Sequence, residues 1–206
     1  MYFGVVKSFK IFFGVSTIVM LFLTGCHHED DIHVTFIGNS CIERWDLNRF
    51  FPTLITTNLG LSNSGVENLE HYSGMLGGQQ VVILTGGTEF TGLVRSIQED
   101  SLSIYIDYYI ARYVNAIAAL RADRIYVLSN LPQGLAHNND ASNHNVHIKY
   151  FNTMIRDNIS KRGWKWVDVY PLMLDGDVLN PAYSDDGLHP NDIGYEIITQ
   201  QLMKEF

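Results

Sequence analysis

The chain has 206 residues, of which 46% are hydrophobic and 17% are charged, and its 14 basic and 22 acidic side chains give a net charge of −8. The hydrophobic fraction excludes a disordered chain, and the acidic balance argues against nucleic-acid binding, which needs a basic face. Two cysteines are too few for a disulfide scaffold. The sequence therefore predicts a compact acidic protein with a hydrophobic N-terminal segment.

The N-terminal segment has the pattern of a secretory signal. Lys7 and Lys10 precede an apolar run over residues 11–23, which is shorter than the roughly 20 residues that span a bilayer. The run ends in Leu23-Thr24-Gly25-Cys26, which resembles the lipobox of bacterial lipoproteins, where the cysteine is acylated. We therefore expect Cys26 to carry lipid; an uncleaved membrane anchor with a buried Cys26 is the alternative.

This resemblance divides the chain into three parts. Residues 1–25 are predicted to be a lipoprotein signal peptide, residues 26–31 a short lipidated tether, and residues 32–206 a single domain. Both readings of Cys26 place that domain outside the cytoplasm. We expect it to be anchored by lipid to a bacterial membrane, on the periplasmic or surface face of the outer membrane.

Short apolar segments alternate with helical patterns through residues 32–206. Apolar runs without strict alternation predict strands that are covered on both faces, over residues 32–38, 54–59, 81–85, 124–129 and 164–170. Apolar stripes at helical spacing predict helices over residues 100–122, 146–159 and 192–206. This alternation predicts a three-layer α/β/α sandwich, with functional side chains just after the carboxyl ends of strands.

Two segments carry side chains suited to nucleophilic catalysis. Gly38-Asn39-Ser40 directly follows the first predicted strand, and Asp186 and His189 lie three residues apart near the other end of the chain. A carboxylate at this spacing reaches the imidazole, fixes its tautomer and stabilises its cation, while the free ring nitrogen takes a proton from a serine. The pattern favours a serine nucleophile on a glycine-led turn.

These segments resemble the SGNH hydrolases, also called GDSL esterases, over the whole of residues 32–206. The sequence FIGNSCIERWDL is similar to the first block of that family, and DDGLHPNDIGY is similar to its last block. The resemblance implies a five-stranded parallel sheet of flavodoxin-like type. It also implies Ser40 as the nucleophile, His189 as the general base and acid, and Asp186 as the orienting carboxylate.

The two middle blocks depart from the family pattern. Asn63 stands where the family presents a glycine whose backbone N–H enters the oxyanion hole, and Gly60 or Gly65 takes that place if the loop is shifted. Thr88 stands where the family has an asparagine whose amide is a further donor, and losing such a donor costs about 10²–10³ in rate. The resemblance thus implies an oxyanion hole formed by Ser40, Asn63 and Thr88, with Thr91 as a possible substitute donor.

Three other features bear on the site. Asn39 replaces the aspartate of the family signature, and Cys41, beside Ser40, is a rival nucleophile. The asparagine-rich segment 134–145 is predicted to be a solvated, mobile loop, or alternatively a loop that contacts substrate. Its histidines match no familiar metal-ligand spacing, and no phosphate-binding glycine motif is present, so we expect neither a metal nor another cofactor.

The sequence therefore predicts a serine esterase that hydrolyses small acyl esters, with a carbohydrate O-acetyl ester as the favoured substrate and a lysophospholipid ester as the second choice. Acyl transfer to a sugar uses the same residues. A catalytically weak, glycan-binding lipoprotein is the alternative from another class. The expected partners are an ester or acylated glycan and, through Cys26, a membrane, but not a nucleic acid.

Overall fold

The computed structural model describes residues 32–96 and 99–206. The predicted signal peptide, the tether and Cys26 lie outside the described residues. Within residues 32–96 and 99–206, no helix combines the length and the apolar character that crossing a membrane requires.

Five parallel strands form the central sheet, in the order β2-β1-β3-β4-β5. The strands are β1 His33–Gly38, β2 Ile55–Gly60, β3 Gln80–Leu84, β4 Arg124–Leu128 and β5 Lys165–Val167. The five-stranded parallel sheet is therefore confirmed, although β5 is shorter than its predicted range. A small antiparallel pair, β6 Leu174–Asp175 and β7 Val178–Leu179, lies outside this sheet.

Within residues 32–96 and 99–206, seven α-helices flank or connect these strands. They are α1 Ser40–Glu43, α2 Leu47–Phe50, α3 Val66–His71, α4 Gly87–Ser96, α5 Glu99–Ala119, α6 Ala141–Ile159 and α7 Asp192–Leu202. Short 3₁₀ turns cover Ser160–Arg162, Tyr170–Met173 and Pro181–Tyr183.

Successive side chains of each strand point to opposite faces of the sheet. On one face they pack with α3, α4, α5 and α6, and on the other with α1, α2 and α7. The buried pairs that divide in this way are Phe36 and Ile37, Val82 and Ile83, and Tyr126 and Val127. Both faces are therefore covered, which confirms the three-layer sandwich and explains why the strands are apolar without alternation.

The segment predicted as a mobile loop over residues 134–145 is only partly a loop. Helix α6 begins at Ala141 and continues to Ile159. His144 and Asn145 are buried, and the Asn145 side chain accepts the Gln133 N–H at 2.8 Å and donates to the Gln133 carbonyl at 2.9 Å. The prediction failed because the Asn145 side chain satisfies backbone groups of the preceding loop inside the fold instead of facing water, and His144 is buried next to it in sequence.

Strand β1 lies beside β3 in the sheet. The connection after β1 passes over one face through α1 and α2, whereas the connection after β3 passes over the other face through α4 and α5. In such sheets a crevice opens beyond the carboxyl ends of the strands at this switch in strand order. Gly38 ends β1, and a Cβ at this position would collide with the Leu84 carbonyl of β3. A glycine is therefore needed where the chain turns toward Ser40.

Candidate active site

Ser40 is the first residue of α1, and a single residue, Asn39, separates it from the end of β1 at Gly38. Asn39 caps this helix: its side-chain oxygen accepts the Cys41 N–H at 3.0 Å, and its own N–H donates to the Leu84 carbonyl at 3.1 Å. The first N–H groups of a helix have no intrahelical acceptor, so the Ser40 N–H is left for another partner. Asn39 thus fixes the serine turn without the charge that an aspartate would bring.

The other predicted members of the triad meet Ser40 at the end of the sheet. His189 Nε2 lies 3.0 Å from Ser40 Oγ, and His189 Nδ1 lies 2.7 Å from Asp186 Oδ2. Asp186 Oδ1 accepts the backbone N–H groups of His189 and Leu188, both at 2.8 Å. This chain of contacts joins a hydroxyl, an imidazole and a carboxylate in the order that proton transfer requires.

The electrostatics of Asp186 keep this carboxylate charged. Partial burial opposes ionisation, but the hydrogen bonds from the His189 backbone, the His189 ring and the Leu188 backbone outweigh it and hold the pKa of Asp186 well below its usual range. The Arg44 guanidinium lies 3.8 Å from the same carboxylate. Asp186 is therefore an acceptor for the Nδ1 proton at neutral pH, which leaves Nε2 as the acceptor that faces Ser40.

Further backbone contacts hold the histidine loop in place. The Ser184 hydroxyl donates to the His189 carbonyl at 2.7 Å, and the Gly134 N–H donates to the Gly187 carbonyl at 2.7 Å. Gly187 has a φ of 74°, in the left-handed region that favours glycine, and a Cβ there would approach the His137 backbone nitrogen. The segment after β4 therefore supports the loop that carries His189.

A cavity of about 300 Å³ opens beside Ser40. The three residues predicted to form the oxyanion hole, Ser40, Asn63 and Thr88, all line this cavity. Asn63 has a φ of 56°, which asparagine adopts more readily than most side chains. The wall contains both polar and apolar residues, which include Glu89, Asn130, Gln133, Leu84, Leu131, Ile148 and Leu188.

The alternative oxyanion donors are engaged elsewhere. The Gly60 N–H donates to Asn58 Oδ1 at 2.9 Å, and the Gly65 N–H donates to Glu67 Oε1 at 2.6 Å. Thr91 is fully buried, and its hydroxyl lies 2.8 Å from the Thr88 carbonyl, to which it donates. The suggestion that Thr91 substitutes for the missing amide is therefore wrong, and Asn63 and Thr88 stay as the candidates.

Cys41 is poorly suited to be the nucleophile. Its side chain is buried, and burial, followed by the negative charge of Asp186, raises the pKa of its thiol to about 12. The thiolate is the reactive form of cysteine, so this thiol stays protonated and unreactive at neutral pH. Cys41 packs in the core beneath the turn, and its carbonyl accepts the Tyr195 hydroxyl at 2.8 Å.

The sequence does not predict several buried asparagine side chains around the site. The Asn68 amide donates to the carbonyls of Gly38 and Leu59, both at 2.9 Å, and so joins the ends of β1 and β2. The Asn130 side chain accepts the Gly87 N–H at 3.0 Å and donates to the Thr85 carbonyl at 2.9 Å. No local pattern marks such residues, because each one bridges segments that are distant in sequence.

Glu89 is a further residue of this kind. It lines the cavity beside Thr88, and its carboxyl oxygen Oε2 accepts the Val66 N–H at 2.7 Å and the Tyr109 hydroxyl at 2.8 Å. Glu89 lies in the third block, but no local pattern identifies Val66 and Tyr109 as its partners. Across the part of the chain that the structure describes, no three His, Cys, Asp or Glu side chains form a group that could hold a metal ion.

The five-stranded parallel sheet in the order β2-β1-β3-β4-β5 is flavodoxin-like. It carries a serine after β1, and an aspartate and a histidine before the last helix. Residues 37–197 match the model of the GDSL-like lipase/acylhydrolase family, and the chain belongs to this family. It is therefore a hydrolase that acts on esters. Comparison with curated protein sequences gives no significant match.

Solved structures share the fold at low sequence identity. A GDSL-like lipase from Bacteroides thetaiotaomicron has a TM-score of 0.65 and 22% identity, with 84% of this chain and 86% of that chain covered. A member of the lipolytic G-D-S-L family from Veillonella parvula has a TM-score of 0.63 and 13% identity, with 85% and 98% covered. A catalytic mutant of an acetylxylan esterase from Geobacillus stearothermophilus has a TM-score of 0.60 and 14% identity, with 84% and 93% covered.

Proposed function

We propose that the chain is a serine esterase in which Ser40, His189 and Asp186 form the catalytic triad. The observation that carries the proposal is the continuous contact from Ser40 Oγ to His189 Nε2 at 3.0 Å and from His189 Nδ1 to Asp186 at 2.7 Å. His189 takes the proton of Ser40 as its oxygen attacks the ester carbonyl, and it then gives that proton to the leaving alcohol. Water activated by the same histidine hydrolyses the acyl-enzyme.

The negative charge of the tetrahedral intermediate falls on the cavity side of Ser40. The backbone N–H groups of Ser40 and Asn63 and the hydroxyl of Thr88 are the proposed donors, since all three residues line the cavity. A threonine hydroxyl reaches less far than an amide, so this hole is expected to be weaker than one with three strong donors. The result is an active enzyme with a modest turnover rate.

The proposed substrate is a small acyl ester, most simply an O-acetyl group on a carbohydrate. The cavity is far larger than an acetyl group, and Asn63, Thr88, Glu89 and Gln133 give it polar groups for hydroxyl-bearing substrates. A similar fold serves an acetylxylan esterase. A lysophospholipid ester is the second choice, because Leu84, Leu131, Ile148 and Leu188 supply an apolar wall.

The proposed location is outside the cytoplasm, anchored through lipid on Cys26. Its support is the segment Leu23-Thr24-Gly25-Cys26 after a basic and then apolar start. Mass spectrometry of the N-terminal peptide, from protein expressed in a bacterium that processes lipoproteins, is expected to find an acylated Cys26. A Cys26→Ser variant is expected to stay unlipidated, and an unmodified Cys26 in the unaltered protein would contradict the anchor.

The activity is tested with soluble protein that begins after Cys26, beside its Ser40→Ala variant. Hydrolysis of p-nitrophenyl acetate is expected in the unaltered protein and not in the variant. Equal background rates in the two proteins would contradict the esterase and leave glycan binding as the function to test.

The substrate class is tested with the same pair of proteins. Acetylated xylooligosaccharide and lysophosphatidylcholine are offered separately, and release of acetate or fatty acid is measured. Faster Ser40-dependent release from the acetylated sugar supports the carbohydrate ester, and faster release from the phospholipid would reverse the order. Transfer of acetyl to an added unacetylated sugar, detected by mass spectrometry, would identify acyl transfer.

A further inference from the structure

The amino ends of the five parallel strands meet at one edge of the sheet, which we call the amino edge. The proposed site lies at the opposite edge, because Ser40, Asn63 and Thr88 follow the carboxyl ends of β1, β2 and β3. A strand rises about 3.3 Å per residue, so the six residues of β1 separate the two edges by roughly 17 Å. The amino edge therefore faces different surroundings from the active site.

Basic side chains are concentrated at the half of the amino edge that β4 and β5 form. Five of the 12 basic residues that follow Cys26 lie here, all of them exposed, and we call them the basic cluster: Arg121, Arg124, Lys161, Arg162 and Lys165. Arg124 begins β4, Lys165 begins β5, and with Arg162 they line a cavity of about 390 Å³. This half of the edge is therefore basic in a chain whose net charge is −8.

The basic cluster has an excess of positive charge. Two carboxylates, Asp123 and Glu205, also line the cavity. Among the described residues, Lys165 is the one member of the cluster that forms an ion pair, and its Nζ lies 3.8 Å from the Glu205 carboxylate. At the opposite edge, exposed aspartates surround the site instead: Asp140, Asp177, Asp185 and Asp186. The domain is therefore basic at the amino edge and acidic around the active site.

The other half of the amino edge exposes apolar side chains. Ile32 and Ile55 lie side by side at the starts of β1 and β2, where the Ile55 N–H donates to the Ile32 carbonyl at 3.1 Å, and they are 41% and 50% exposed. Met75, in the turn that precedes β3, is 62% exposed. Single exposed apolar residues are common. Apolar residues beside basic ones on one surface, however, are typical of proteins that bind at the interface of an anionic bilayer.

The chain enters the domain at this same edge. Ile32 is the first described residue, and β1 begins at His33. The proposed tether has six residues, 26–31, and an extended chain spans at most about 3.6 Å per residue. Lipid on Cys26 would therefore hold Ile32 within about 20 Å of the bilayer surface. A tether this short keeps the basic cluster at a high effective concentration of lipid headgroups.

We propose that the amino edge is a docking surface for the headgroups of an anionic bilayer, which holds the active site on the side away from the membrane. A bilayer fits this edge better than a soluble acidic polymer, since it offers charge to the basic cluster and an apolar boundary to Ile32, Ile55 and Met75. The inference rests on the proposed lipid anchor and deepens the proposed function. With the site turned outward, the substrate is an ester in solution, such as an acylated glycan, and not a lipid of the same bilayer.

The test uses the full lipidated chain, purified from a bacterium that processes lipoproteins and added to vesicles of phosphatidylcholine with or without phosphatidylglycerol. A dye is attached to Ser160→Cys, beside the basic cluster, or to Asn139→Cys, in the loop after β4 at the opposite edge; both positions are exposed. Lipid blocks Cys26 in the processed chain, and Cys41 is buried, so the dye reacts with the introduced cysteine. Lipids that carry a nitroxide on the headgroup quench the dye at close range.

Ser160→Cys is expected to be quenched strongly, and Asn139→Cys weakly, in vesicles that contain phosphatidylglycerol. Concentrated salt or pure phosphatidylcholine is expected to remove this difference, because both weaken the attraction between the basic cluster and the headgroups. The double variant Arg124→Gln/Arg162→Gln is expected to lower the ratio of docked to undocked chains about 10-fold to 30-fold, since each basic side chain near an anionic surface contributes about fivefold.

The matched control is Arg95→Gln/Lys149→Gln, which removes the same charge from exposed residues of α4 and α6. This control is expected to keep the wild-type quenching, because its residues lie outside the basic cluster. Both double variants are expected to hydrolyse p-nitrophenyl acetate at the wild-type rate, and circular dichroism shows whether they are folded.

Each contrary result has a different meaning. Equal quenching at the two dye positions, or an equal loss of quenching in both double variants, overturns the docking surface and leaves the lipid anchor and the Ser40 mechanism intact. A preference for dextran sulfate over phosphatidylglycerol at equal charge would identify an acidic polymer as the partner instead. A chain that stays off the vesicles with an unmodified Cys26 refutes the anchor and the docking surface together. Activity that survives in Ser40→Ala refutes the esterase and is measured separately from the quenching.

Discussion

The two sides of Ser40 are built in different ways. On the proton-transfer side, residues 184–191 form one short loop in which Asp186 contacts the ring and the backbone of His189. On the oxyanion side, Asn63 and Thr88 belong to separate connections of the sheet, and Glu89 joins those connections through Val66. One side is organised by neighbours in sequence, and the other depends on contacts between distant segments.

This difference affects how strongly a substitution on each side changes the rate. The proton-transfer side is held by several mutually supporting hydrogen bonds over six residues, from Ser184 to His189. The two segments of the oxyanion side are joined by the carboxyl group of Glu89, which accepts the Val66 N–H at 2.7 Å. Substitutions on the first side are therefore expected to affect the rate strongly at every pH, whereas those on the second are expected to give smaller effects.

The largest fall in kcat is expected from Asp186→Asn, which disrupts the proton-transfer side. An amide cannot accept the Nδ1 proton in the same tautomer or stabilise the imidazolium, so kcat is expected to fall about 10⁴-fold. The measurement is the steady-state rate with p-nitrophenyl acetate. The neighbouring Asp185→Asn is the control, because the Asp185 carboxylate accepts a hydrogen bond from Asn191 and not from the His189 ring. A similar loss of kcat in both variants would contradict the role of Asp186.

A smaller effect is expected when the oxyanion side loses the Thr88 hydroxyl. Thr88→Val keeps the shape of the side chain and removes the donor, so kcat is expected to fall about 10-fold, less than the 10²–10³ of a strong donor. Thr88→Ser retains the hydroxyl and is expected to stay near the wild-type rate. A full wild-type rate in Thr88→Val would exclude Thr88 as a donor.

The smallest effect on the rate is expected from Cys41→Ala, which changes neither side directly. The kcat is expected to change less than about twofold, because the buried thiol stays protonated and unreactive. Loss of a small buried side chain is expected to cost about 1 kcal/mol, which lowers Tm by about 2–4 °C in a chain of this size. Calorimetry measures the change in Tm, and the ester assay on the same sample measures the change in kcat. An inactive protein with an unchanged Tm would instead support Cys41 as the nucleophile.

The parts of the molecule that the sequence predicted are those fixed by local pattern. Strands that are buried on both faces contain long apolar runs, and Asp186 and His189 stand three residues apart. The sequence alone therefore predicts both the sheet and the pairing of this aspartate with this histidine. The structure brings Ser40, Asp186 and His189 together as predicted. Their catalytic roles stay a proposal until the variants are measured.

The parts that the sequence did not predict depend on long-range contacts. The local pattern predicts a mobile loop at Asn145, yet this residue is buried, and its amide satisfies the backbone of Gln133 and Asp177. The sequence offers Thr91 as a candidate donor, but its hydroxyl is buried and donates to the Thr88 carbonyl. Glu89 gave no signal, because its partners Val66 and Tyr109 lie in other helices, and no spacing rule relates them.

The most direct test of the account is covalent labelling by a fluorophosphonate, which reacts with an activated serine. Intact and peptide mass spectrometry of the wild type is expected to show one adduct per chain, on the peptide that contains Ser40. The Cys41→Ala variant is expected to be labelled at the same site, and the His189→Ala variant is expected to stay unlabelled. An adduct on another residue, or equal labelling of Ser40 without His189, would contradict a serine activated by this histidine.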